Sequence, residues 1–483
     1  MEHTVDLVRI ARNVMLEKGL LPDFPPKVLK QIGALRGPAV TSDPSVRDLR
    51  KRLWCSIDND DSRDLDQLSV AEDLGSGRIR QYVAIADVDE IVSQGSPVDL
   101  HAQHNTTSVY TAGGIFPMLP ERLSTDLTSL NPGEDRLAVV MSYVVDDAGA
   151  VSGGEVFRAL VHNHAQLAYP SISAWLEGEA DLPEAAAAVP GLEKQLRLQD
   201  RVAQNLLDRR EEEGALSLQT IEAKATVEDG RVLEIHADTK GRAHELIENL
   251  MIAANGVATR YLSARRFPTF RRVVREPERW NRLCALALEY GEVLPPDPDP
   301  KPLEHFLRSM KQRDPDRFPD LSLTVIKLMG AGEYVVNLPN RPPIGHFGLA
   351  VRDYSHSTAP NRRYPDIITQ RLLKAALAGD PVPYSNKELM ALAEHCTLQE
   401  DAAKKVERHL RKSAAAALLM DRIGDRFTGF VTGVTNAGTW VRVVQPPVEG
   451  RLEAAGLDVG DKVTVRLASV DVERGFIDFV TAG

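Results

Sequence analysis

Apolar residues recur at helical spacing through residues 4–18 (TVDLVRIARNVMLEK), and Gly19 is placed to end that helix. In LPDFPPKVLKQIGAL, Pro25 or Pro26 opens a second short helix, because proline is tolerated in a first turn. Two short helices and a turn predict a small helical, helix-turn-helix-like unit over residues 1–45; a helical lid packed on the next domain is the competing reading. From Leu53 to Val145 the pattern changes to strands and turns, clearest in RIRQYVAIADV and DRLAVVMSYVVDD. Helical periodicity returns in LEKQLRLQDRVAQNLLDRREEEGAL, AHELIENLMIAANGVATRYL and RYPDIITQRLLKAAL. The run LPPDPDPKP (294–302) is a loop, since successive prolines cannot continue a helix. Residues 399–423 form a further helix by propensity. After Gly424 come about five short strands with glycine turns, the pattern of a small OB-type barrel. No fixed-period repeat is present. The chain reads as α+β: a helical unit over 1–45, a domain of mixed sheet and helices over 46–424, and a β-barrel over 425–483.

A length of 483 residues suits about three domains, and 43% apolar with 5% aromatic residues suits a globular chain. The net charge of −11 implies no overall attraction to nucleic acid. A basic groove on an acidic body is compatible with it, because the local field outweighs the total. Cys55, Cys284 and Cys396 lie far apart, are odd in number and include no C-x-x-C pair. That argues against a zinc cluster or disulfide framework and for a reducing compartment. The opening residues, MEHTVDLVRIARNV, carry charge where a signal peptide needs an apolar core. No apolar run approaches the roughly 20 residues of a membrane span. The expectation is a soluble, cytoplasmic protein with no membrane association.

The stretch SIDNDDSRDLDQLS (56–69) crowds Asp58, Asp60, Asp61, Asp64 and Asp66 around one cation, Arg63. An EF-hand calcium loop needs Gly at its sixth position and Glu at its twelfth. Counted from Asp58 those are Arg63 and Ser69, so that pattern fails. A solvated acidic loop is the commonplace fate of a charge run. Interleaved Ile57, Leu65, Leu68 and Val70 oppose it. They hold some carboxylates at the edge of a core, where unpaired anions are costly and a bound cation would relieve the cost. In an extended segment Asp64 and Asp66 share a face, and Asp58 joins them if residues 59–63 loop out. Hard oxygen ligands with room for water and phosphate suit Mg²⁺. Such sites serve phosphoryl chemistry.

The cluster resembles the I-D-x5-D-x-D-D motif of the ribonuclease II (RNB) exoribonuclease family, with Ile57, Asp58, Asp64 and Asp66 in register. Further blocks resemble the family in the expected order. They are FPMLPERLSTDLTSLNPGEDRLAVVMSYVVDDAG (116–149), AHELIENLMIAAN (243–255), GHFGLAVRDYSHSTAPNRRYPDIITQRLLKA (345–375) and the basic helix KVERHLRK. The C-terminal barrel is similar to the RNA-binding OB fold first named for ribosomal protein S-one. Several blocks at family spacing are far more specific than one short motif. Three departures stand out. Gln67 occupies the place of the fourth acid; its amide offers a metal a carbonyl oxygen but no charge. STAPNRRY replaces the usual Ser-Pro-Ile ahead of the arginines. A helical unit stands where the family commonly has two cold-shock barrels.

The resemblance implies an RNB-type catalytic domain and a 3′-to-5′ exoribonuclease. It implies processive, Mg²⁺-dependent hydrolysis of single-stranded RNA to nucleoside 5′-monophosphates. It makes Asp58, Asp64 and Asp66 metal ligands or water-orienting groups, with Asp66 central. Gln67 is a weak ligand or a solvent-facing residue. Asp66, Asp64 and Arg362 form the catalytic set, Arg362 as a phosphate clamp, with a plain salt bridge as its alternative. Arg363 does the same or pairs with Asp366. Tyr110 stacks on the terminal base or belongs to the core. Phe270, with Phe267 in RRFPTFRRVVR, has the composition of an RNA-tracking loop or of a packed one. Glu407 touches the terminal nucleotide or pairs with Arg411. Trp440 and Phe430 are base platforms in the barrel or core residues. His244 and Glu248 lack the second histidine of a zincin, so zinc is rejected and Glu248 is expected to be structural. Arg271, Arg272, Arg362, Lys404 and Lys405 would make the channel basic. The expected partner is single-stranded RNA, with structured RNA a further candidate through the helical unit, and the expected state is a monomer. Two other classes compete: a non-catalytic RNA-binding protein that keeps the channel, motivated by Gln67, and a duplex-DNA-binding helix-turn-helix.

Overall fold

The structure, a computed structural model, describes residues 5–482 except 221, 229, 239, 316, 436, 437, 455, 458 and 459. Residue 4, where the first expected helix begins, lies outside them. Helix α1 (Leu7–Glu17) is capped by Asp6, whose carboxylate accepts the Arg9 amide at 2.8 Å. Helix α2 (Pro26–Gly33) opens on its prolines. Leu7, Ile10, Val14 and Met15 of α1 join an apolar cluster shared with the C-terminal barrel, whereas Val28 and Ile32 of α2 join the main core. The two helices thus bury their stripes against the body rather than in a core of their own.

Strands β1 (Arg47–Asp48), β2 (Cys55–Asp58), β3 (Gln67–Gly75) and β4 (Arg78–Ala86) are followed by α3 (Pro97–Asn105) and a hairpin, β5 (Val109–Thr111) and β6 (Gly114–Phe116). Then come β7 (Asp135–Val145), β8 (Val151–His162) and β9 (Ala165–Ala168). All but the hairpin form one sheet in the order β1-β8-β7-β4-β3-β2-β9, antiparallel through its centre and parallel at both margins. Its central strands are almost wholly buried, with Val83 opposite Met141 and Ile85 opposite Val139, because elements cover both faces. Among these are α4 (Tyr169–Leu176), α5 (Glu184–Ala187) and α6 (Leu192–Glu213). After the hairpin β10 (Glu222–Glu228) and β11 (Arg231–Asp238) comes α7 (Arg242–Ala264). The β7–β8 turn lies so close to α6 that a Cβ on Gly149 (φ 72°) would meet the Asn205 carbonyl oxygen at 2.1 Å.

Strand β12 (Thr269–Val273) pairs with β13 (Glu333–Asn337), and the chain between them makes a three-helix lobe. The lobe comprises α8 (Trp280–Glu289), α9 (Pro300–Arg313) and α10 (Phe318–Met329), around Trp280, Leu303, Phe306 and Phe318. Helix α9 begins inside the expected loop, since Pro300 sits in its first turn. Helices α11 (Tyr364–Ala378) and α12 (Asn386–Leu419) follow. Helix α12 starts ahead of the expected Gln399, at a capping box formed by Ser385 and Glu388. It leads into a closed barrel of β14 (Arg426–Thr435), β15 (Gly438–Val443), β16 (Val448–Glu453), β17 (Lys462–Asp471) and β18 (Phe476–Thr481), in the order β14-β15-β16-β18-β17. The fold class is the α+β expected, with a helical N-terminal unit and a C-terminal barrel. Among the described residues no helix is long and apolar enough to cross a membrane.

Candidate active site

Asp58 closes β2, and its Oδ1 accepts the Asn59 amide at 2.8 Å and the Ser62 hydroxyl at 3.0 Å. Residues 59–63 turn outward, and the chain returns at Leu65. Leu65 is buried and pinned by its own amide to Ser129 Oγ (2.9 Å) and by its carbonyl to the Leu130 amide (2.9 Å). That anchor fixes Asp64 and Asp66 on either side of it. Asp66 is 3% exposed; its Oδ1 accepts the Asn361 amide at 2.8 Å, and its Oδ2 accepts no hydrogen bond. The Arg362 Nε lies 3.4 Å from that bare oxygen, and the Arg362 side chain is 43% exposed. Burial pushes the Asp66 carboxyl well above the usual range; Arg362 opposes the shift and Asp64 adds to it. Burial raises Asp64 as well, and the Asp58 charge adds to that.

Arg362 is positioned through its backbone. Its carbonyl accepts the Ser108 amide at 3.0 Å and the Thr107 hydroxyl at 3.2 Å. The same segment continues into the β5–β6 hairpin and sets Tyr110, whose hydroxyl lies 3.4 Å from Asp64 Oδ2 and whose side is 40% exposed. Glu407 Oε1, on α12, accepts the Tyr110 amide at 3.0 Å. At the hairpin tip, a Cβ on Gly113 would meet the Leu7 and Val8 backbone of α1 at 2.8–2.9 Å, so α1 braces the hairpin directly. The α1–α2 turn is fastened to α3 by paired hydrogen bonds between Leu21 and Asn105 (2.9 and 2.8 Å). The N-terminal helices therefore support the same segment that carries Tyr110 and holds Arg362.

Asp58, Asp64, Asp66, Tyr110, Arg362 and, through the Tyr110 backbone, Glu407 are brought together. Other expected residues are not. Phe270 is 1% exposed, sits opposite Val336 and packs on Tyr334 at 5.7 Å, so it has no free face for a base. Arg271 and Arg272 are buried too, Arg272 against Glu400 at 2.5 Å, and add nothing to an open channel. Arg363 is locked by a two-pronged pair onto the fully buried Asp366 (2.8 and 3.0 Å), the structural role rather than the phosphate-binding one. Gln67 begins β3, and strand alternation turns its amide from the side that Asp66 presents. Trp440 lies on β15 opposite Arg451 in the barrel, half-buried. Tyr169 escaped notice in the sequence. It stacks on His244 at 3.9 Å, and burial together with the Asp58 charge pushes its hydroxyl up. No local spacing links these two rings; only the fold does. Asn361, standing where the family motif has Ile, is fully buried and receives the Thr128 hydroxyl at 2.6 Å, while its Nδ2 has no partner.

The residues suit a divalent cation in kind: hard carboxylate oxygens, one of them bare, in a desolvated place. Among the described residues no three His, Cys, Asp or Glu side chains converge closely enough to hold an ion unaided. That is compatible with Mg²⁺, which takes one or two carboxylates together with substrate phosphates rather than an all-protein cage.

The RNB domain profile matches residues 46–379, and the profile for the RNase II-type exonuclease C-terminal S1 domain matches residues 425–482. Ribonuclease R of Escherichia coli (strain K12) is 31% identical over 94% of this chain and 60% of its own length. Ribonuclease R of Aquifex aeolicus is 30% identical over 97% of this chain and 70% of its own. The chain thus spans about three-fifths of the first of these relatives. Mycoplasma genitalium RNase R, solved in complex with ribose methylated single-stranded RNA, superposes with a TM-score of 0.88 at 22% identity, over 99% of this chain and 78% of that one. At that identity the likeness is one of fold. The aspartate site thus lies within a matched RNB domain, ahead of a matched S1 barrel, and the chain belongs to the RNB family of RNase II-type proteins.

Proposed function

We propose that the chain is a 3′-to-5′ exoribonuclease that hydrolyses single-stranded RNA processively to nucleoside 5′-monophosphates. The observation that carries this is Asp66, a buried carboxylate with one bare oxygen, set between a second acid and a half-exposed arginine. The terminal base stacks on Tyr110, a contact indifferent to sequence and worth about 1–3 kcal/mol. Arg362 offers its guanidinium fork to the scissile phosphate and offsets charge that builds there. Its backbone is already pinned to Thr107 and Ser108, so little ordering remains to be done during reaction. Asp64, made more basic by burial, orients the attacking water. Asp66, together with Asp64 or Asp58, would hold Mg²⁺, which would supply an activated water and neutralise phosphate charge. Water adds to phosphorus, the bond to the upstream 3′-oxygen breaks, and the RNA keeps a 3′-hydroxyl. Contacts to 2′-hydroxyls give RNA its preference over DNA. Three free cysteines, two of them buried, suit a reducing cytoplasm. The protein acts as a monomer, with the barrel and Trp440 as a second RNA platform.

A second reading has Gln67 and the incomplete carboxylate cage in its favour: a protein that holds RNA without cutting it. A linear RNA and its ligated circle, incubated in parallel, separate the cases. The proposal predicts that the linear form becomes mononucleotides and the circle survives. Fragments from the circle would mean internal cutting, and retention of both forms with tight binding would mean the non-catalytic reading.

A further inference from the structure

A cleft of about 1180 Å³ opens between α6, α7, the β7–β8 turn and residues 343–353, and none of the residues assembled around Asp66 lines it. Its charge runs against that of the chain. Arg209, Arg210, Arg260, Arg275, Lys301 and Arg352 line it, opposed by Glu213, Glu276 and Asp353. Part of this charge is spent: Arg209 pairs with Glu213 at 3.2 Å, Arg275 with Glu333, and Asp353 with Arg271 at 3.4 Å. Among the described residues, Arg210, Arg260, Lys301 and Arg352 have no carboxylate partner. Arg260 and Arg352 are exposed in the cleft. Arg210 is half-buried, and its Nη2 and Nε donate to a neutral group, Asn249 Oδ1, at 2.6 and 3.1 Å. This desolvated guanidinium, hydrogen-bonded to an amide and under the charges of Glu248 and Glu211 without an ion pair to either, keeps donors for an anion.

Two chains of neighbouring residues lead from the cleft toward the aspartate site. On α7, Glu248 precedes Asn249 and acts on the charges of both Tyr169 and Arg210. On the other wall, His346 meets the Tyr354 ring at 5.5 Å and Tyr354 meets His356 at 5.7 Å. Tyr354 in turn lies within reach of the Arg363 charge, beside Arg362.

Each turnover leaves a phosphomonoester that is largely dianionic near neutral pH, its second pKa being about 6. The negative charge gained on cleavage weakens its hold beside the carboxylates of Asp58, Asp64 and Asp66. We propose that the cleft binds the released nucleoside 5′-monophosphate, its phosphate on Arg210, Arg260 and Arg352, and is the route by which product leaves. This rests on the exonuclease reading.

The test is calorimetric binding of adenosine 5′-monophosphate to the full chain without RNA, with inorganic phosphate as competitor. Compared are the parent protein, the double variant Arg260→Glu/Arg352→Glu and Arg362→Ala. The double variant should bind the nucleotide at least about tenfold more weakly, while Arg362→Ala stays within about twofold. Single-stranded RNA should bind the double variant as it binds the parent. Loss in Arg362→Ala alone would place the nucleotide at the aspartates and overturn the proposal. A parallel loss of RNA affinity in the double variant would make the cleft part of the RNA track and overturn it too, as would no nucleotide binding by the parent. Because the readout needs no turnover, failure to degrade RNA would sink the exonuclease reading separately.

Discussion

Glu407 on α12 accepts the main-chain N–H of Tyr110 at 3.0 Å, so the ring nearest Asp64 is held from the helix that leads to the barrel. Glu407→Ala removes that acceptor; Glu407→Gln keeps a carbonyl oxygen in its place. The alanine variant should retain short RNA about tenfold less well, about 1.5 kcal/mol for a hydrogen bond to a charged group, and leave a longer final fragment. The glutamine variant should recover most of both. Equal defects in fragment length and KM would show that the charge, and not the hydrogen bond, matters.

Gly113→Val tests the brace. Its side chain would press on the Leu7 and Val8 backbone, which cannot move aside as a flexible side chain can. Overpacking of this kind costs about 1–3 kcal/mol. Displacement of Tyr110 should raise KM for RNA more than it lowers kcat, because Asp66 is anchored through Leu65 and Asn361, and Arg362 meets this segment at Thr107 and Ser108, ahead of the hairpin. An unchanged KM in a folded variant would show that α1 does not govern the hairpin.

The two adjacent arginines should separate cleanly. Arg363→Ala strands the buried Asp366 and should cost about 3–5 kcal/mol of stability. Arg362→Ala, at a half-exposed side chain, should change stability by less than about 1 kcal/mol. It should lower kcat about 10²–10³-fold, the scale of losing one charge-stabilising donor. Thermal melts and single-turnover rates on the two variants read this directly.

Asp66 carries a sign that can be checked against pH. Its carboxyl is raised in the folded state, so the folded protein binds the proton more tightly than the unfolded chain does. Stability therefore falls as pH rises from the ordinary carboxylate range through the raised value. In EDTA at pH above that window, Asp66→Asn should be more stable than the parent by about 1–3 kcal/mol, the scale of a buried unsatisfied group. Added Mg²⁺ should stabilise the parent and leave the variant unmoved. A variant less stable than the parent under these conditions would show that the ionised carboxylate is adequately compensated without a cation.

The aspartates were legible because their signal is local: apolar residues interleaved with carboxylates fix which of them reach the core. The barrel strands and the helices α6, α7 and α11 were legible from pattern, whereas α12 was read from propensity and only from Gln399, short of its start at Asn386. Phe270 misled because aromatics mixed with arginines read alike in an RNA track and in a buried strand. Only the pairing of β12 with β13 and the Glu400 partner of Arg272 decide between them. Arg363 and Arg362 are adjacent and chemically identical; the buried Asp366 one helical turn on separates their roles. The Tyr169–His244 stack and the support given by α1 to the Tyr110 hairpin are tertiary facts, absent from any local pattern.

The central claim, that Asp66 anchors a metal-dependent exonuclease, is tested most directly with a 5′-labelled single-stranded RNA. The purified chain is assayed with Mg²⁺, with EDTA, and as Asp66→Asn. The account predicts a ladder that shortens to a small end fragment with Mg²⁺ and is absent in both other lanes. Full-length RNA, tightly bound and uncut in every lane, would contradict it and mark a protein that holds RNA without hydrolysing it.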